Sequence, residues 1–227
     1  MLLNIDMAVL EMLNGSASSF LDGLMATLTS GFTWMPLYLS LLYLVINNSD
    51  NMTKIGLVVG AAMLCVVLSG GVCDYIVKPV VGRLRPVNDP MLYGLIHGVS
   101  GVASNDYSFF SSHSANTMSL AVFFSMLVKN RKLFIALLVW SLTNCYTRLY
   151  LGMHYPSDVL VGIIWGAVIG FVVFYLYSKV YYKVFPDVEY ISTQYTPNGY
   201  TIATVDIVIL VIILTYIYAI LHALIIS

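Results

Sequence analysis

The sequence predicts an all-α membrane protein, a polytopic bundle of about six transmembrane helices. Hydrophobic residues fill 59% of its 227 positions and charged residues only 9%. Mean hydropathy is +0.88, far too apolar for a soluble domain of this length. Several apolar runs are long enough to cross a hydrocarbon core, and short polar turns separate them. With no internal repeat, residues 1–227 read as a single domain. A net charge of −1, without a basic arm or zinc-finger spacing, argues against a nucleic-acid partner. Cys65, Cys73 and Cys145 lie inside apolar runs with no CxxC pair, so they read as small fillers rather than ligands or a disulfide framework. The start MLLNIDMAVLEML lacks a basic n-region and carries Asp6 and Glu11, which argues against a cleaved signal peptide.

Residues 4–13 form a short amphipathic segment closed by Asn14-Gly15-Ser16. It is too short to span and belongs at the interface. Residues 17–31 suit either a short span or a re-entrant helix. Residues 33–47 read as a span, 47–54 as a polar turn, and 55–77 as a strong helix stopped at the Lys78-Pro79 step, where proline disfavours continuation. Residues 79–112, rich in Gly, Pro, Asn and Ser, make one long non-spanning region, and loops of that length are often functional. Spans 113–128 and 133–151 meet at the basic turn KNRK (129–132). A tight turn at Gly152-Met153-His154 precedes a helix over 155–178. A tyrosine-bearing connection (179–203) leads to a last apolar helix, 204–226.

Charge placement orients this bundle. If 78–112 faces one side, the turns at 48–54, 129–132 and 179–203 face the other, and they hold Lys54, Lys129, Arg131, Lys132, Lys179 and Lys183. The positive-inside rule makes that side the cytoplasm. Lys78, Arg83, Arg85 and Arg148 then lie on the outer side, where topogenesis gives them no role and function is the better explanation.

Those residues belong to three spaced segments: Lys78-x6-Arg85-Pro86, then Ser111-Ser112-His113, then Arg148-x5-His154-x3-Asp158. In order and spacing this resembles the type 2 phosphatidic acid phosphatase family, whose pattern is KxxxxxxRP, PSGH and SRxxxxxHxxxD and whose fold is shared with vanadium haloperoxidases. The likeness covers residues 55–178 as a phosphatase core, flanked by 4–47 and by the extra helix 204–226. Three positions depart from the pattern: Phe110 replaces proline, Ser112 glycine and Thr147 serine.

The residues support phosphate chemistry in their own right. A guanidinium fork binds two oxygens of a phosphate at once, so Arg85 and Arg148, with Lys78 as a point charge, suit a dianionic phosphomonoester. Ser111, Ser112 and the helix N-terminus at His113 would add donors. His154 and Asp158 are spaced to share one helix face, so the carboxylate can hold one ring nitrogen and leave the other for attack. The resemblance implies that His154 is the nucleophile forming a phosphohistidine, that Asp158 orients it, and that His113 is the general acid. Arg83 is a possible phosphate contact. Asp74, one turn before Lys78, is expected to pair with it. Asn116 and Asn144 are expected to hydrogen-bond between helices, and His97 and His222 read as ordinary partnered side chains.

No cofactor is expected, because the motifs hold no carboxylate cluster suited to Mg²⁺. The expected partners are a lipid phosphate substrate and membrane lipids, with no obligatory protein partner. The expected function is a lipid phosphatase of a bacterial inner membrane with its site facing the periplasm or exterior. Lipid A is the favoured substrate, ahead of undecaprenyl diphosphate, phosphatidate and phosphatidylglycerol phosphate. A transporter would need inverted repeats or broken mid-span helices that the chain lacks. A lipid phosphotransferase would use the same residues.

Overall fold

The chain's apolar runs become helices whose ends are set by identifiable caps and turns. A computed structural model describes residues 2–16, 18–92, 94–98, 107–185 and 193–226. Residues 99–106 of the predicted long loop and 186–192 of the tyrosine-bearing connection lie outside the described residues. Among those described no strand forms beyond a single bridge between Tyr195 and Thr201.

α1 (Leu2–Leu13) is followed by Gly15 at φ 61°, which turns the chain toward α2. Asn14 fastens this turn to the rest of the molecule: its amide donates to the carbonyls of Tyr150 (2.8 Å) and His97 (3.1 Å), and it accepts the His97 N–H at 2.7 Å. α2 (Ser19–Thr29) has 11 residues and spans about 16 Å, too little to cross a membrane. A 64° break at Ser30 separates it from the helical run Gly31–Asn47, which contains α3 (Met35–Asn47). The break is stitched by Trp34 Nε1 donating to the Leu28 carbonyl at 2.8 Å and by Thr33 Oγ1 donating to the Thr27 carbonyl at 2.7 Å. Residues 17–31 are therefore half of a broken span or a re-entrant helix, and not a span alone.

α4 (Met52–Val66) begins at Asn51, whose side chain accepts the Lys54 N–H at 2.9 Å. The predicted stop at Lys78-Pro79 is corrected: the helix continues through two wide turns, Val67–Gly71 and Cys73–Val77, into α5 (Lys78–Val81). The Lys78 N–H bonds five residues back to the Cys73 carbonyl. This wider register lets Pro79, which has no N–H, sit in the first turn of α5. The helix ends instead at Gly82, φ 61°, whose N–H returns to the Lys78 carbonyl at 2.9 Å.

The centre is built by α6 (Ser112–Val128), α7 (Arg131–Tyr150) and α8 (Pro156–Val184). The KNRK turn forms as expected, with Lys129 in the left-handed region and Asn130 accepting the N–H groups of Lys132 and Leu133. Gly152, φ 64°, makes the second turn; a Cβ there would meet Ile96 at 2.6 Å and Val87 at 2.8 Å. α8 runs to Val184, past the predicted end at 178. α6 and α8 pack more extensively than any other pair of helices among the described residues. The cause is a stripe of glycines on α8, Gly162, Gly166 and Gly170, spaced by four. A Cβ at Gly162 would stand 2.6 Å from the Ser111 carbonyl oxygen, and one at Gly166 would collide with the Ala115 backbone. This small-residue spacing lets two backbones approach closely, as it does inside membranes.

α9 (Ile202–Ile226) packs on α2 and α3. Trp34, Trp140 and Tyr216 meet edge to face there, with centroids 5.9 Å apart for Trp34–Trp140 and 5.3 Å for Trp34–Tyr216. Met52–Leu92, Pro156–Val184 and Ile202–Ile226 are each long and apolar enough to cross a membrane, and the bent pair Ser19–Thr29 with Gly31–Asn47 makes a fourth if counted as one span. α6 and α7, counted as spans in the sequence, are shorter or more polar than these; α6 is largely buried, whereas α7 exposes Phe134, Ile135, Val139 and Leu142. The helix directions put Lys78, His113, Arg148 and Asp158 at one end and Lys54, Lys129 and Arg131 at the other.

Candidate active site

Four chain segments converge at one end of the bundle. α5 carries Lys78, and the Gly82 turn leads to Arg83 and then Arg85 in extended backbone. The first turn of α6 carries Ser112 and His113, the last turn of α7 carries Arg148, and the turn into α8 carries His154 and Asp158.

Lys78, Arg85 and Arg148 are only 5%, 4% and 6% exposed. Three cations buried together are costly, and a bound anion among them would offset that cost. Lys78 has the expected Asp74 partner at 2.6 Å and also reaches Ser112 Oγ at 3.4 Å. Arg148 donates one arm to Thr29 Oγ1 at 2.7 Å, while its buried Nε–H has no hydrogen-bond partner among the described residues. Arg85 Nη1 lies 3.4 Å from His154 Nε2 and 3.3 Å from the Met153 carbonyl.

His154 is 1% exposed, and the charges of Arg148, Arg85 and Lys78 act on its ring. Burial first, then those charges, hold its pKa well below the ordinary histidine value, so the ring is neutral at neutral pH. A guanidinium can only donate, so Nε2 is the acceptor and the ring proton sits on Nδ1. Nδ1 faces Asp158 Oδ2 at 3.8 Å, an alignment still longer than a hydrogen bond. Asp158 is fully buried; its Oδ2 accepts the Tyr155 N–H at 3.0 Å and its backbone carbonyl accepts the Ser111 N–H at 3.1 Å, which ties α8 to α6. His113 is exposed at the mouth, within the field of Lys78, Arg85, Arg148 and His154.

Two predicted residues also make contacts within the protein. Ser111 is the N-cap of α6, its hydroxyl oxygen accepting from the N–H (3.4 Å) and hydroxyl (3.0 Å) of Ser114. Arg83, a possible phosphate contact, donates to Asp158 Oδ1 at 2.7 Å and Asp6 Oδ2 at 2.9 Å. Sequence reasoning missed Thr29 and Asp6, which lie outside the spaced motifs, and Ser108, which faces His154 and Asp158. Asn116 accepts from Ser69 across helices at 2.7 Å as expected, whereas Asn144 donates within its own helix to Trp140. His97 pairs with Asp22 at 3.0 Å and His222 with Thr27 at 3.1 Å.

A family model described as PAP2 superfamily matches residues 51–182, the segment that holds all three motifs. The chain belongs to the PAP2 superfamily. It is 36% identical over 177 residues to a lipid A 4'-phosphatase of Bacteroides thetaiotaomicron, covering 78% of each chain. To a lipid A 4'-phosphatase of Porphyromonas gingivalis it is 31% identical over 172 residues, 74% of this chain and 71% of the relative. Its fold is that of a transmembrane PAP2-type phosphatidylglycerolphosphate phosphatase from Bacillus subtilis, with a TM-score of 0.58 at 21% identity over 79% of this chain and 87% of the other. The protein is thus an integral membrane PAP2 phosphatase, a hydrolase of phosphoester bonds.

The departures from the PAP2 pattern are absorbed locally. Ser112 lies in helical backbone, and among the described residues only Lys129 is a non-glycine with positive φ, so the serine Cβ meets no conformational barrier. Phe110 follows a cis peptide bond and is buried against Trp165, its carbonyl accepting from Cys73 Sγ. Thr147 is buried and returns its hydroxyl to the Asn144 carbonyl at 2.7 Å.

Proposed function

We propose that the protein removes a phosphate group from a lipid A headgroup at the outer face of a bacterial inner membrane. The observation that carries this reading is the trio of buried cations around the neutral, buried His154 at the end of the bundle opposite the ordinary basic turns. A phosphate held there lies at headgroup depth, with its lipid tail among the helices. Two relatives matched over about three quarters of this chain at 36% and 31% identity are lipid A 4'-phosphatases, whereas undecaprenyl-diphosphatases match over 47% of it at 33% identity (Bacillus subtilis) or over 71% at only 26% (Sulfolobus acidocaldarius).

In this reading Lys78, Arg85 and Arg148 clamp the phosphate oxygens, with Ser112 beside them, and the substrate's charge offsets theirs. His154 Nε2 attacks phosphorus as the bond to the leaving oxygen breaks, and His113, which takes up a proton once the bound phosphate dianion offsets the cations around it, gives that oxygen its proton. Water then attacks the phosphohistidine, His113 takes its proton, the phosphorus–nitrogen bond breaks and phosphate leaves. Asp158 steadies the Nδ1–H side of the ring throughout.

The test is a phosphate-release panel on purified protein over lipid A, undecaprenyl diphosphate, phosphatidate and phosphatidylglycerol phosphate, with His154→Ala as blank. Fastest turnover of lipid A is expected. A clear preference for another lipid would overturn the substrate, and label moved to an acceptor lipid instead of water would make the enzyme a transferase. Among the described residues no three His, Cys, Asp or Glu side chains come together to hold a metal ion. Phosphate release is therefore expected to continue in excess EDTA, and a loss restored by Mg²⁺ would contradict the route.

A further inference from the structure

Asp6 lies on α1, outside the segment matched by the family, yet it reaches the site. Its carboxylate is 9% exposed and fully engaged: Oδ2 accepts from Arg83 Nη2 at 2.9 Å and from the Ser157 hydroxyl at 2.5 Å, and Oδ1 accepts the Ser157 N–H at 2.9 Å. Burial works to raise this carboxyl, but the Ser157 and Arg83 hydrogen bonds outweigh it and keep Asp6 below its ordinary value, hence ionised. The other arm of Arg83, Nη1, donates to Asp158 Oδ1 at 2.7 Å and Ser157 Oγ at 2.9 Å. The guanidinium also lies 3.7 Å from the centroid of the Tyr155 ring, whose hydroxyl donates to Asp89 at 3.0 Å.

Arg83 is thus forked across two carboxylates. A guanidinium facing a single carboxylate tends to bind both of its oxygens. With Asp6 holding Nη2, Arg83 engages only Oδ1 of Asp158, and Oδ2 keeps its place between the Tyr155 N–H and His154 Nδ1. We propose that Asp6 is a positioning residue for the reaction: by holding one arm of Arg83 it reserves Asp158 Oδ2 for His154, and so makes the interfacial helix α1 part of the catalytic apparatus. This rests on the reading of His154 as the nucleophile.

The experiment compares full-length wild type, Asp6→Asn, Arg83→Lys, the double variant and His154→Ala, using lipid A in mixed micelles, or undecaprenyl diphosphate should the panel select it. Asp6→Asn is expected to lower kcat roughly 10- to 100-fold, as misplacement near a reacting group does, with KM and inhibition by inorganic phosphate little changed. Arg83→Lys, whose single ammonium cannot span both carboxylates, should show the same split. The double variant should be no worse than the poorer single one, because both break one chain of contacts. Wild-type kcat in Asp6→Asn, a change confined to KM, or an additive double variant would overturn the proposal. If Asp6→Asn loses its folded peak on size exclusion, Arg83→Lys carries the same reading, and wild-type kcat there overturns it. Failure of the nucleophile reading looks different: His154→Ala would itself keep turnover.

Discussion

His154→Ala is expected to lower phosphate release by at least about 10³-fold while leaving the protein folded. The ring is neutral in the resting enzyme, so its removal strands no buried charge. The turn that holds it is built by backbone: the Met153 N–H bonds to the Arg148 carbonyl at 3.0 Å, and the Gly152 carbonyl accepts the Val87 N–H at 3.2 Å. What is lost is Nε2, the nitrogen poised beside Arg85. The check is initial-rate phosphate release on protein that elutes and melts like wild type. Turnover within a few-fold of wild type would remove His154 from the chemistry.

Gly166→Leu is expected to cost about 3 kcal/mol or more and to abolish both folding yield and activity. A Cβ at this position meets the backbone of Ala115 rather than a side chain that could swing aside. α8 can then only move away from α6. That movement separates His113, on α6, from His154 and Asp158 at the start of α8, so the catalytic end suffers with the packing. Gly60 on α4 supplies the contrast, since nothing lies within 4 Å of a Cβ there. Gly60→Leu should fold, melt and turn over close to wild type. Thermal melting in detergent decides the matter: equal melting of Gly166→Leu and wild type would show that the α6–α8 contact does not hold the bundle together.

Much of the site is legible in sequence because its chemistry is written at fixed local spacing. Lys78 and Arg85 flank one turn, His154 lies just before α8 and Asp158 in its first turn, and Ser111 caps the helix that carries His113. Proline stops an α-helical register, but the wide turns before Pro79 shift the hydrogen bonds to five-residue spacing, so the expected stop does not form. The shape of 17–31 depends on Trp34 and Thr33 reaching back to carbonyls of α2, contacts that hydropathy does not encode. The glycine stripe of α8 was readable as a small-residue spacing and explains why the two helix starts lie so close. Asp6 and Thr29 left no such mark. Each meets its arginine across a long stretch of chain, and only the fold brings them together.

The mechanism turns on a covalent phosphoryl group on His154. Reaction with lipid A labelled in its phosphate, quenched in alkali within the first turnover, tests it directly. Phosphohistidine survives alkali and is lost in acid, so acid-labile label is expected on the peptide containing His154 and none in His154→Ala. Label on Ser111, Ser112 or another side chain, or full turnover with no labelled protein at any time, would contradict it.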